Sequence, residues 1–336
     1  MLKKMKQQPS VLDAHRRTLI RGAGGVALLS AVGHPVAQTK LSPLKIVCGY
    51  AAGGTVDQLS RQVASKMQLE YTHSVIVDNK PGALGQLAIS QVKMQPTDGN
   101  TILASPMPLL SLFPHVYKSL PYDPVADFVI LTAATRAPYA YAVGRMVPVS
   151  VRSVKDYWAW VKTDSKHATV AVAGVLPQLI CLMMSKISGV EMVPAMYRGG
   201  QLAALDALAG NVPAMVASLG DIKPHLGEGK LRLLALASDN RNPSVPEVPT
   251  FAEQGISDMD VSAYTSFFVR AGTSSEIVER HSTALRAALA QKDVIDALGR
   301  LAMEVVPADP KESTEILKKD SEKWAAFVKR IGYAPT

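Results

Sequence analysis

Between Lys45 and Gly49 the apolar residues Ile46, Val47 and Cys48 stand side by side; after Gly53 and Gly54 they recur as Val56, Leu59, Val63 and Met67. The first pattern suits a buried strand, and the second places its apolar positions on one face of a helix. The predicted unit is strand, tight loop, helix. Paired glycines let the backbone pass close to a bound group. The first N–H groups of the helix have no partner within it and carry partial positive charge. Such a loop suits an anion, a carboxylate in particular.

The alternation continues. Ser74–Asp78 reads as a strand, Asn79–Gly82 as a turn, and Leu84, Leu87, Ala88 and Val92 as one face of a helix. Thr97–Asn100 then turns the chain into a strand over Thr101–Ala104. This is the rhythm of a parallel sheet with helices on both faces. Tyr139–Val143 is a further strand, at which the chain leaves the first domain. A second set follows: a helix over Val154–Val161, a strand over Ala168–Val172, a loop over Gly174–Gln178 and an apolar helix over Leu179–Ile187. Beyond it come the loop Tyr197–Gly200, a helix through Leu202, Leu205 and Leu208, and strands over Ala214–Ser218 and Leu231–Leu236. The proline-dense segment Asn242–Pro249 predicts an extended surface loop before the chain returns to the first domain. Thr273–Glu276 has capping-box spacing, with Ile277, His281, Leu285 and Leu289 on one face behind it. Asp309 and Pro310 open a last helix whose stripe of Leu317, Trp324, Val328 and Ile331 stops at Gly332; Trp324 is expected in the core.

A chain of 336 residues with 48% hydrophobic and 19% charged residues is long enough for two cores. The net charge of +8 suggests a nucleic-acid partner until it is located. Residues 1–38 hold six basic side chains (Lys3, Lys4, Lys6, Arg16, Arg17 and Arg21) against Asp13, a surplus of five that leaves +3 for the rest. That is too little for a phosphate-binding face, so no nucleic-acid partner is expected. The basic start, the small and apolar run Gly22–Gly33, and Pro35-Val36-Ala37 predict an export signal over residues 1–37. The paired arginines suit the twin-arginine route, with the general secretory route and an uncleaved anchor as alternatives. Cleavage near Ala37 leaves a periplasmic protein. The two cysteines, Cys48 and Cys181, sit in apolar segments and are expected as buried thiols. His15, His34, His73, His115, His167, His225 and His281 show no metal-ligand spacing. No nucleotide loop, nucleophile elbow or zinc-hydrolase motif occurs in the chain after the signal; neither a cofactor nor a catalytic residue is expected.

The motifs AAGGTVDQLSR, VIVDNKPGALG, PTDGNTILAS, YDPVADF, MYRGG, LAGNV, GKLRLLALAS and VPEVPTFAEQG occur in this order. Over residues 44–334 the chain thereby resembles the Bug-type solute receptors, the extracytoplasmic binding components of tripartite tricarboxylate transporters. The resemblance implies an α/β, two-domain type II periplasmic-binding-protein fold, each domain a mainly parallel sheet flanked by helices, with the ligand cleft between them. Residues 44–142 plus 265–336 would form the first domain and 143–264 the second. The implied function is capture of a small organic carboxylate by a monomer that works with transporter membrane subunits; a sensor docking on a membrane signalling partner, or an enzyme acting on a small carboxylate, are the alternatives. The matching site positions are Ala52, Gly53, Gly54, Thr55, Asp57, Gly82, Ala83, Gly85 and Ser105. From the second domain come Gly174, Val175, Leu176, Gln178, Tyr197 and Gly199.

Two positions carry their own questions. Asp57 either complements the helix dipole and pairs with Arg61, four residues on, or meets the ligand through a water or an amino group. In Ala173–Gln178 the hydroxyl-rich loop of the family is missing. Val175 and Leu176 are expected to present apolar surface there, with Gln178 as the one side-chain donor, so the distal end of the ligand would be less polar than a dicarboxylate. Cys48, where relatives often carry proline, reads as a small buried filler.

Overall fold

The computed structural model describes residues 43–228 and 231–336; the export signal expected over residues 1–37 lies outside the described residues. The strands are β1 (Leu44–Cys48), β2 (Val75–Asn79), β3 (Thr101–Pro106), β4 (Phe128–Ala137), β5 (Tyr139–Val143) and β6 (Thr169–Val172). They continue as β7 (Val193–Met196), β8 (Ala214–Ser218), β9 (Arg232–Ala237), β10 (Ala263–Arg270) and β11 (Glu304–Val305). The helices are α1 (Thr55–Glu70), α2 (Gln86–Lys93), α3 (Pro108–Ser111), α4 (Phe113–Val116), α5 (Val154–Val161) and α6 (Val175–Ser188). After them come α7 (Gly200–Ala209), α8 (Leu219–Ile222), α9 (Ser275–Leu289), α10 (Lys292–Arg300) and α11 (Pro310–Ile331).

Two sheets result, a six-stranded one in the order β11-β4-β10-β3-β1-β2 and a five-stranded one in the order β7-β6-β8-β5-β9. In the first, β1 runs parallel to β2 and β3; in the second, β6 runs parallel to β7 and β8. The mixed α/β character agrees with the sequence pattern. Strand β5 hydrogen-bonds between β8 and β9, so it lies in the second sheet and the chain crosses over at Pro138. The return runs from the end of β9 through residues 238–262 into β10, with the Val261 N–H donating to the Ala237 carbonyl at 3.4 Å.

Apolar periodicity explains most of the packing. In α1 the expected face, Val56, Leu59, Val63 and Met67, is buried under the first sheet. Trp324 of α11 is fully buried, and α11 packs against α3, β4 and α6, so it touches elements of both sheets. Where the pattern misleads, the cause is local geometry. Ala83, Leu84 and Gly85 form a left-handed turn before α2, which takes Leu84 out of the helical register; Ala88, Ile89 and Val92 are buried while Leu87 stays 53% exposed. Helix α6 begins at Val175, not at Leu179, because a proline in the first turn gives up an N–H that has no intrahelical acceptor there. Val175, Leu176 and Gln178 are therefore first-turn residues. Ser274, not Thr273, caps α9, accepting the Ile277 N–H at 3.4 Å, while the Thr273 hydroxyl donates to the Arg270 carbonyl. The proline-dense segment is fastened to the second sheet's core by the buried Val245 and Val248, and is not simply laid over the surface.

Candidate functional site

Because β1, β2 and β3 are parallel, their carboxyl ends emerge together, and so do those of β6, β7 and β8. In open α/β sheets a ligand sits outside these ends, where the following helices begin. The expected site residues follow this rule. Ala52–Thr55 lies beyond β1, Gly82–Gly85 beyond β2 and Ser105 at the end of β3; Gly174 lies beyond β6, and Tyr197 and Gly199 beyond β7. The two sets approach each other at the start of α1: a methyl group placed on Gly220, beyond β8, would fall 2.9 Å from Thr55 Cγ2.

The first loop is braced from beneath. Asp57, 1% exposed, accepts the Gly53 N–H at 2.8 Å and the Arg61 Nε–H at 2.9 Å on one oxygen, and Asn79 Nδ2 at 2.9 Å on the other. Burial disfavours its charge, but the hydrogen bonds from Arg61, Gly53 and Asn79 outweigh that and hold the carboxyl below its usual range. Asn79 also donates to the Tyr50 carbonyl at 3.0 Å, and Gln58 to the Gly53 carbonyl at 2.9 Å. Both Asp57 oxygens are thus committed to holding the loop. Ala52 and Gly53 are left exposed above them.

The second loop is strained. Ala83 and Leu84 have φ of 46° and 55°, and Gly85 follows at 94°. Left-handed backbone at a residue bearing a Cβ costs about 1–3 kcal/mol and persists only where its surroundings enforce it. Gly85 leaves no room for a side chain, since a methyl there would fall 2.7 Å from Leu109 Cδ2 and 3.3 Å from the Tyr50 hydroxyl, which itself donates to the Leu84 carbonyl at 3.4 Å. Ser105 is buried, and its hydroxyl donates to the Pro106 carbonyl at 3.1 Å. Its register partner on β10, Ser266, has a buried hydroxyl without a hydrogen bond among the described residues.

In the second set, Gly174 at φ 111° and Gly199 at φ 150° open α6 and α7 in backbone conformations that favour glycine. Val175 and Leu176, 6% and 4% exposed, belong to the main apolar cluster. The apolar surface expected of them at the site is therefore turned into the core, because the helix starts earlier than the loop reading supposed. Gln178 is partly exposed one turn in. The Tyr197 hydroxyl donates to Asp206 at 2.6 Å, and burial together with that acid pushes the phenol up to about 12.

The glycine starts are the ones beyond the parallel strands, although α10, starting on Gln291, also lacks a side-chain cap. Helices α1, α2, α6 and α7 begin on Gly54, Gly85, Gly174 and Gly199, none with a side-chain cap. Helices α5, α9 and α11 begin on Ser153, Ser274 and Asp309, whose side chains accept a first-turn N–H. The starts that face the strand ends leave their amides to an outside acceptor. Two tyrosines that sequence reasoning missed stand nearby. Tyr50 and Tyr139 are partly buried, and burial pushes both phenols up, each also through an ionisable neighbour: Tyr139 for Tyr50, Asp221 for Tyr139. Cys48 and Cys181 are buried free thiols pushed up to about 11 and about 12 by burial, which makes them inert filler.

Comparison with known proteins adds to this geometry. A family profile described as the tripartite tricarboxylate transporter family receptor matches residues 59–333. The solved periplasmic binding protein BugD is similar at TM-score 0.79 and 27% identity, over 88% of this chain and 99% of that one. MatC from Rhodopseudomonas palustris, solved with bound malate, gives 0.77 and 25% over 85% and 98%. Another R. palustris protein, solved with adipate, gives 0.80 and 25% over 89% and 100%. Among the described residues no helix is long and apolar enough to cross a membrane.

Proposed function

Because the chain belongs to the tripartite tricarboxylate transporter receptor family, we propose that it is an exported receptor that captures a small organic carboxylate and delivers it to transporter membrane subunits. The observation that carries this reading is the set of glycine starts on α1, α2, α6 and α7, which leaves amide donors from both sheets without side-chain caps. Similar proteins have been solved with malate and with adipate, both carboxylates. The lobes are taken as the two sheets with their helices, divided at Pro138 and within residues 238–262, with closure about those two crossings.

Each helix start contributes about 0.3–1 kcal/mol toward a carboxylate, and each hydrogen bond to its charged oxygens about 1.5–3 kcal/mol. A few such bonds reach the roughly −8 kcal/mol of a micromolar complex once desolvation is subtracted, without a lysine or arginine at the site. Ala52, Gly82, Ala83, Gly174 and Gly199 are assigned as the backbone donors, with Thr55 and Gln178 as side-chain donors, while the Gly53 N–H stays on Asp57. Asp57 is assigned to holding the first loop in place.

The test is calorimetry of the purified protein against mono- and dicarboxylates and amino acids. At least one acid is expected to bind. At a hundredfold excess over its Kd it should stabilise the fold by about 2.7 kcal/mol. Silence across the panel, with turnover of some substrate by the pure protein, would make it an enzyme and sink the receptor reading.

A further inference from the structure

One carboxylate near the glycine starts, Asp221, is turned toward the start of α7. Helix α8 is a single turn that follows β8, and its second and third residues face different ways. Gly220 abuts Thr55 at the start of α1, as described above. Asp221 abuts the start of α7: a methyl on Gly200 would fall 2.7 Å from Asp221 Cβ and 2.7 Å from Asp221 Oδ2. Residues 220 and 221 thus join the helix starts of the two sheets. Asp221 is partly buried. Among the described residues it has neither a hydrogen-bond donor nor a cationic partner. Lys223, the nearest cation along the chain, donates instead to the Arg300 carbonyl at 3.0 Å. The Tyr139 phenol lies within electrostatic reach of Asp221.

A partly buried carboxylate without a donor is costly, and a residue that merely complemented the α7 dipole would be expected to accept one of its first N–H groups. Asp221 touches Gly200 and accepts none. Burial pushes its carboxyl up to about 6, which still leaves it mostly ionised at neutral pH.

We propose that Asp221 sets the ligand class: it receives the ammonium of a zwitterionic ligand, an amino carboxylic acid whose carboxylate is held by the glycine starts. This inference rests on the carboxylate-receptor reading above. A dicarboxylate brings a second negative charge toward Asp221 and is disfavoured; an ammonium supplies the missing donor and cation together.

The test is calorimetry of the full chain with matched ligands, succinate against aspartate and 4-aminobutyrate, and adipate against 6-aminohexanoate, for the wild type and Asp221→Asn. The wild type is expected to favour an amino member over its diacid by about tenfold or more. Asp221→Asn should bring that preference down to about threefold or less while keeping or improving diacid binding. Equal or tighter binding of the diacids by the wild type overturns the proposal and leaves the receptor reading standing, as does an unchanged preference in Asp221→Asn. Failure of every acid to bind either protein overturns both. The wild-type preference decides by itself if the variant does not fold, and a role confined to the α7 dipole would change stability without changing the preference.

Discussion

Two aspartates near the strand ends live in opposite surroundings. Asp57 gathers donors from Gly53, Arg61 and Asn79, and its carboxyl is held low; Asp221 gathers none among the described residues, and its carboxyl is pushed up. Asp57→Ala leaves the Gly53 amide and Asn79 without their acceptor, and is expected to destabilise the fold by about 1.5–3 kcal/mol in urea denaturation at pH 7. Since the folded state depresses this acid, its contribution is complete above the ordinary aspartate range near pH 3.8 and is lost as pH falls through its folded value. The wild-type and Asp57→Ala stabilities should therefore converge in strong acid; a gap that persists there would show that the charge is not what matters. The pairing of Asp57 with Arg61 was legible in the chain because partners four apart on a helix meet regardless of tertiary structure. Its bonds to Asn79, and the contact of Asp221 with Gly200, join separate segments and leave no local mark. A polar position in the short segment after β8 was the only available hint of Asp221.

At the scale of elements, what is decided within a few residues could be read and what is decided by neighbours could not. Helix α11 begins on Asp309 with Pro310 and ends on Gly332, as its flanking residues dictate. The left-handed turn before α2 ends on Gly85, which sits tightly against Leu109 and Tyr50 from other segments, and spacing alone mistook Leu84 for a helical position. Helix α9 is joined to the first sheet through His281, which is 1% exposed, with Nε2 2.8 Å from the Gly99 carbonyl and Nδ1 3.0 Å from the Tyr71 hydroxyl. A neutral ring serves both, donating from Nε2 and accepting at Nδ1. Burial lowers its pKa from the usual 6.5, with Arg280 pressing the same way and the Gly99 bond opposing. The unfolded chain then takes up the proton first as pH falls, so the stability present above 6.5 declines below it. Urea midpoints are expected to drop between pH 7.5 and pH 5, and the drop should shrink in His281→Gln. An equal drop in that variant would place the acid sensitivity elsewhere.

For the whole molecule, two chain crossings and α11 connect the two sheets. Besides packing on α6, α11 receives the Lys186 ammonium at the Arg330 carbonyl at 2.6 Å and pairs Lys323 with Asp260 at 2.9 Å. Opening about Pro138 has to be taken up near that helix, which favours a hinge of limited range. Small-angle scattering is expected to show a smaller radius of gyration with saturating ligand than without; identical curves would mean that capture needs no closure. The two-sheet plan was legible from alternating periods, and so was the strand Tyr139–Val143 at which the chain leaves the first domain; β4 was not read, and its pairing with β10 and β11 joins distant segments that leave no local mark. The glycine starts carry a further consequence for descent. Every amino acid except proline brings an amide N–H, so on the proposed binding mode ordinary missense changes cannot delete the groups that would hold the acid; they can only re-aim them. On that mode, a duplicated gene would change its cargo through the few side chains around those amides.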